Sequence, residues 1–231
     1  MGRLNKAWRR VVRAIAWLIG GFIAVSLLLV LLFRWVPLPT SAFMLGATVT
    51  AWASGDFDYR NQYDWVPRER MSRYARRAVI AAEDQRFFEH SGLDVEAIRK
   101  AMESNARGGR LRGASTISQQ TAKNLFLWRS RSWFRKGLEV WFTLLIEVLW
   151  PKERILEVYL NIAQFGKNVY GVQAASRQFF GKDVEKLTRR ESALLAAVLP
   201  SPTKMQAANP SAYVRRRADF IQDQMRRLPS E

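Results

Sequence analysis

Apolar positions along this chain fall into two arrangements, one continuous and one periodic. From Ala14 to Phe33 the run AIAWLIGGFIAVSLLLVLLF carries no charge over about 20 residues, the length a helix needs to cross a bilayer core. Beyond Arg68 the apolar residues become periodic. Met71, Tyr74, Ala75, Ala78, Val79 and Ala82 fall at i, i+3, i+4 spacing, which predicts one face of a helix ending close to Glu83. A second helix is predicted over 94–106 with Val95, Ile98, Ala101 and Met102 inward, and it stops in the glycine-rich basic stretch RGGRLRGAS. Another opens at Ser115 or Thr116, where Thr116 and Gln119 fit a capping box.

The clearest helix spans 132–149, with Phe134, Leu138, Trp141, Phe142, Leu145, Ile146 and Leu149 as its apolar stripe. Pro151 suits the first turn of the helix that follows, with Ile155, Leu156, Val158 and Tyr159 inward. Thr188 and Glu191 form a second capping box ahead of SALLAAVL, and a charged helix runs from about Pro210 to Arg227. Strand signals are scarce, so the body reads as mainly α.

Charge places this body relative to the membrane. Arg3, Lys6, Arg9, Arg10 and Arg13 precede the continuous apolar run without an acid, and only Arg34 follows closely. The positive-inside rule then puts the N-terminus in the cytoplasm and the body outside it. The run is too long for the apolar core of a cleaved signal peptide, and the A-x-A-like site Ala51-Trp52-Ala53 lies too far beyond it. A retained anchor is expected. The chain divides into a cytoplasmic N-terminus (1–13), a transmembrane helix (14–33), a juxtamembrane connector (34–66) touching the bilayer through Phe43, Met44 and Leu45, and a helical domain (67–231).

With 37 Lys+Arg against 20 Asp+Glu the partner should be anionic, and an extracytoplasmic body argues for phosphorylated substrate or lipid over nucleic acid. Cys is absent and His90 is the one histidine, which excludes disulfides, thiol nucleophiles and a His/Cys zinc site.

Four stretches concentrate chemistry. In EDQRFFEHSG, Glu83 and Asp84 end an apolar helix; GASTISQQTAKN (113–124) packs hydroxyls, glutamines, Lys123 and Asn124 into one helical start. RSWFRKGLE (131–139) sets three cations ahead of Glu139, and KERILEVYLNIAQFG (152–166) follows. Taken alone, the acids read as a solvated helix end and as partners of helix neighbours.

Together these stretches resemble the family 51 glycosyltransferases, the peptidoglycan glycosyltransferases. The pattern E-D-x-x-F-x-x-H-x-G matches Glu83, Asp84, Phe87, His90 and Gly92. G-x-S-T-[IL]-x-Q-Q-x-x-K-N matches Gly113, Ser115, Thr116, Ile117, Gln119, Gln120, Lys123 and Asn124. R-K-x-x-E matches Arg135, Lys136 and Glu139, and I-L-E-x-Y-L-N matches Ile155 to Asn161. The resemblance covers roughly 66–205, with the motifs in family order.

The resemblance implies a lysozyme-like, two-lobed, mainly α domain that polymerises lipid II, joining the acceptor GlcNAc 4-hydroxyl to the donor MurNAc with release of undecaprenyl diphosphate. Ending at Glu231, the chain is expected to be the single-anchor form without a transpeptidase domain. Glu83 is carried over as general base, and Glu139 as second carboxylate, assisting departure or holding a divalent metal (Mg2+ or Mn2+) with the diphosphate. No organic cofactor is implied. Lys123, Arg131 and Arg135, with Lys136 a weaker candidate, would contact phosphates. Ser115, Thr116, Gln119, Gln120 and Asn124 would position sugar or diphosphate.

Implied partners are lipid II, the nascent glycan strand and membrane lipid, with other cell-wall synthesis proteins as candidates, and the implied location is the inner membrane. His90 is expected to be structural, as is Glu157, and residues 107–114 to form a mobile cover over the donor site. Gln164 stands where many monofunctional members carry Glu. The Arg-rich tail at 215–217 and 226–227 reads as solvated or membrane-facing surface. Two other functions stay open: a lysozyme-like hydrolase or lytic transglycosylase, and a non-catalytic membrane-anchored scaffold. The phosphate-binding cluster argues against the first.

Overall fold

A computed structural model describes residues 2–106 and 115–229. The expected cover at 107–114 lies outside the described residues. The chain separates into two compact units, Met1–Val36 and Pro37–Glu231.

The first unit is helix α1 (Gly2–Leu32), whose stretch Trp8–Leu32 is long and apolar enough to cross a membrane. The helix therefore starts well before the charge-free run and carries its basic flank in its opening turns. It ends where Arg34, Trp35 and Pro37 interrupt the apolar pattern.

The second unit is mainly helical. Its elements are α2 (Ala42–Ala53), the short strand β1 (Gln62–Tyr63), α3 (Arg73–Glu83), α4 (Val95–Ala106), α5 (Ile117–Phe126), α6 (Trp133–Leu149) and α7 (Lys152–Ile162). The strand β2 (Val169–Tyr170), α8 (Val172–Phe180), α9 (Arg189–Val198) and α10 (Ala212–Arg227) complete it. α3, α9 and α10 pack together around Ala75, Ala78, Val79, Ala193, Ala197, Ala218 and Ile221, all nearly inaccessible to solvent. α5 packs on both α6 and α7, around Ile117, Ala122, Ile146, Ile155 and Tyr159.

Both capping boxes are present. Thr116 Oγ1 accepts from the Gln119 N–H at 3.2 Å while Gln119 Oε1 accepts from the Thr116 N–H at 3.1 Å. Thr188 and Glu191 repeat the arrangement at the start of α9.

Four expectations are corrected. Residues 37–66 are not a bare connector but part of the second unit: β1 pairs in parallel with β2, Gln62 opposite Val169 and Tyr63 opposite Tyr170. Asn161 secures the same stretch, its amide exchanging two 2.9 Å hydrogen bonds with the N–H and carbonyl of Val66 as a peptide group would. Met44 is buried, and Phe43 turns to cations of the body rather than outward.

The third correction concerns α3, which begins at Arg73 because Met71 is extended and Ser72 caps the helix by accepting from the Tyr74 N–H. Fourth, Val95, Met102 and Phe134, expected inward, are 73%, 67% and 72% exposed. Helical spacing identifies a face but not whether a neighbour covers it.

Two glycines are dictated by packing. At Gly171 (φ +83°) a Cβ would lie 2.5 Å from the Asn161 carbonyl oxygen. At Gly92 (φ +88°) it would lie 2.9 Å from side-chain carbons of both Glu147 and Thr143. Both φ values lie where only glycine is unstrained.

Candidate active site

Glu83 ends α3, and its side chain is 14% exposed. A carboxylate there needs donors, and α5 supplies one: Gln120 Nε2 donates to Glu83 Oε2 at 2.9 Å. Behind it, the Tyr159 hydroxyl of α7 donates to Gln120 Oε1 at 3.1 Å. Burial, then the charges of Glu83 and Asp84, push the Tyr159 pKa well up, so this hydroxyl stays a donor. The tyrosine thereby fixes which end of the Gln120 amide faces Glu83. From α10, Arg217 brings Nη2 to 3.6 Å from Glu83 Oε1.

Burial raises the Glu83 pKa above the ordinary carboxylate range, against the opposing pull of the Gln120 hydrogen bond and of Arg217 and Lys123. A raised carboxyl on a largely apolar helix end is suited to receive a proton near neutral pH.

The neighbouring Asp84 does different work. Its buried carboxylate accepts from His90 Nε2 at 3.0 Å and from the Ile117 N–H at 3.0 Å, the first amide of α5. His90 Nδ1 accepts in turn from the Gly92 N–H at 3.2 Å, which fixes the ring's orientation. Asp84 and His90 therefore tie the end of α3 to the start of α5, and with it Glu83 to Gln120. Thr116 adds a third tie by donating to the Gly92 carbonyl at 2.6 Å.

Glu139 sits on α6 with a 4% exposed side chain. Its Oε2 accepts from Arg135 Nη1 at 2.6 Å, and its Oε1 from Lys136 Nζ. Burial alone would raise its pKa, but the hydrogen bonds and charges of Lys136 and Arg135 outweigh burial and hold it below the ordinary range. The two acids are thus pushed in opposite directions, one toward holding a proton and the other toward permanent charge.

Lys123, one turn beyond Gln120 on α5, links them. Burial lowers its pKa; Glu139 and Glu83 both pull it up, while Arg135 and Lys136 push it down. One ammonium therefore lies within the field of both carboxylates and of both α6 cations.

Of the residues singled out in the sequence, the structure gathers Glu83, Gln120, Lys123, Arg135, Lys136 and Glu139 into this network. Arg131 is exposed in the connection between α5 and α6, and Asn124 is half-buried on α5. Thr116 and Gln119 are buried and spend the groups described above on the capping box and on Gly92, which makes them organisers of the α5 start. Ser115 is exposed just before it. Glu157 is held by Arg154 at 2.8 Å and by the Arg68 N–H at 3.1 Å, a structural role.

The sequence reading missed Arg217, set aside with a solvated tail, and Tyr159, counted only as core. A signal for Tyr159 existed: a tyrosine on a buried stripe must find a partner for its hydroxyl.

Glu139, the carboxylate expected to hold a divalent ion with the diphosphate, has both oxygens facing cations, and among the described residues no group of three or more His, Asp or Glu gathers. Nor does the apolar concavity of about 450 Å³ bounded by Ile80, Phe88 and Leu156 mark the site, since neither carboxylate lines it.

Comparison with known proteins bears on the same residues. The family model described as "Transglycosylase" matches residues 50–226. A protein of Pseudomonas putida (strain F1) named biosynthetic peptidoglycan transglycosylase is 56% identical over 225 residues, covering 97% of this chain and 93% of its own. A protein of the same name from Xanthomonas campestris pv. campestris (strain B100) is 52% identical over 223 residues, 95% and 91% of the two chains. The match contains every residue of the Glu83–Lys123–Glu139 network together with Tyr159 and Arg217, and the chain belongs to the transglycosylase family.

Proposed function

We propose that this chain polymerises peptidoglycan glycan strands from lipid II, releasing undecaprenyl diphosphate and forming β-1,4 bonds. The observation that carries the reading is a buried helix-end carboxylate, Glu83, held by Gln120 of α5, the helix that carries Lys123, with a second carboxylate, Glu139, gripped by Arg135 and Lys136 on α6, which packs against α5. The identity to relatives named biosynthetic peptidoglycan transglycosylase supports it.

In this reading the acceptor 4-hydroxyl oxygen attacks the donor anomeric carbon while its proton passes to Glu83. The bond from that carbon to the diphosphate oxygen breaks, and the leaving group departs with the electron pair, inverting the α-linked donor to β. Negative charge developing on the diphosphate requires cations already aimed at it. Lys123, Arg131 and the exposed part of Lys136 supply them, while Arg135 and Glu139 hold that wall in shape. Gln120 and Arg217 orient Glu83 from two sides.

The N-terminal helix would anchor the enzyme in the inner membrane with its basic end in the cytoplasm, leaving the catalytic unit where the lipid-linked substrate is presented. Incubating the detergent-solubilised full chain with labelled lipid II should yield polymer. Consumption of finished glycan strands with lipid II untouched would replace this reading by a hydrolase.

A further inference from the structure

One cation beside the site has no part in the mechanism above. Phe43, at the start of α2, carries two positive groups on its ring: Lys123 Nζ lies 5.8 Å from the centroid and the Arg129 guanidinium 4.8 Å. Arg129 is exposed but not loose. Its Nη2 donates to Gln164 Oε1 at 2.7 Å and to the hydroxyl of buried Tyr170 at 3.2 Å. Gln164 is itself locked, its Nε2 donating to the Gly166 carbonyl at 2.8 Å and the Lys167 carbonyl at 3.0 Å, so its oxygen is the end that faces Arg129.

Each of these partners (an aromatic face, an amide oxygen and a phenol) is neutral. Among the described residues Arg129 forms no ion pair with a carboxylate, and from Arg129 to Lys136 the chain holds no acid. An arginine is protonated at any working pH. Held in one orientation without being neutralised, it keeps its charge for a ligand. A carboxylate at position 164 would cancel it.

The surroundings indicate what kind of anion. Trp128, the residue before Arg129, is 48% exposed, and α2 exposes Leu45, Val49 and Trp52 on a face other than the one that carries Phe43. Fixed positive charge beside the exposed Trp128 suits a molecule with a phosphate head and a hydrocarbon tail.

We propose that Arg129, seated on Phe43 and oriented by Gln164 and Tyr170, is a further phosphate-binding residue beside Lys123, taking the phosphate of a membrane amphiphile. The proposal rests on reading Lys123 as part of the diphosphate wall. Two sources share this chemistry, the diphosphate of the lipid-linked substrate and an anionic phospholipid headgroup.

The test is binding by the full chain in neutral detergent micelles, followed by calorimetry, with a long-chain isoprenyl diphosphate in one arm and phosphatidylglycerol in the other. Arg129→Ala should weaken the isoprenyl diphosphate about tenfold, Arg129→Lys should recover part of that loss, and Gln164→Glu should weaken binding in the same direction. Weakening confined to the phosphatidylglycerol arm supports the site and assigns it to headgroups. Unchanged affinity of Arg129→Ala in both arms overturns the proposal. Lys123→Ala, measured alongside, tests the parent reading separately: if it leaves diphosphate affinity intact while Arg129→Ala does not, the wall is misplaced and the Arg129 site stands.

Discussion

Replacing Glu83 by glutamine removes one proton acceptor together with the negative charge that faces Arg217 at 3.6 Å. The side chain keeps its size, and the new amide oxygen can still accept from Gln120 Nε2, now 2.9 Å from the carboxylate. The amide therefore stays where the carboxylate was, and the loss falls on the proton-transfer step. General-base catalysis by a positioned side chain contributes roughly a hundred- to ten-thousandfold. That corresponds to about 2.7–5.4 kcal/mol of transition-state stabilisation at 1.36 kcal/mol per decade.

Stability should move the other way. Burial raises the Glu83 pKa in the fold, so the group stabilises the fold while protonated and loses that contribution as pH rises through the raised value. At neutral pH the glutamine has no charge to desolvate. Glu83→Gln should then melt no lower than wild type, with a gain on the order of 1 kcal/mol. Polymerisation of labelled lipid II and thermal unfolding in the same detergent give the two readouts. The wild-type rate should rise through an acid limb placed above the ordinary glutamate range. Polymerisation by Glu83→Gln within threefold of wild type would refute the base assignment. Loss of activity together with a lower melting temperature would show that the carboxylate organises the fold instead.

Three other perturbations separate the remaining parts. Glu139→Gln leaves Arg135, 11% exposed, without its counter-charge and should cost about 3 kcal/mol in chemical unfolding; because the native carboxyl is held below its ordinary pKa, wild-type stability from this group should persist above that range and disappear as acid titrates it. Tyr159→Phe frees the Gln120 amide to turn its oxygen toward Glu83. It should lower the polymerisation rate about tenfold while costing only about 1–2 kcal/mol in unfolding, and an unchanged rate would show that the orientation of Gln120 is immaterial. Gly171→Ala places a Cβ 2.5 Å from the Asn161 carbonyl at φ +83° and should lower stability by about 3 kcal/mol, read as a shift in the unfolding midpoint.

The long apolar helix, the α5 and α9 capping boxes and the body's helices other than α2 and α8 were legible along the chain because each depends on residues within a few positions of one another. So were the two acids and Lys123 as candidates, since their motifs are contiguous. What only the tertiary structure decided are relations across distance. Arg217 belongs to Glu83 because α10 packs on α3, and no local pattern distinguishes it from Arg215 or Arg216. Phe43 became a seat for cations instead of a membrane contact because residues after Pro37 join the body through β1, β2 and Asn161. Val95, Met102 and Phe134 sit at helical spacing that predicts an inward face, yet the packing among the described residues leaves them largely exposed. The opposite pKa shifts of Glu83 and Glu139 also arise only in three dimensions, because burial and neighbouring charge are properties of the packed neighbourhood and not of the residue.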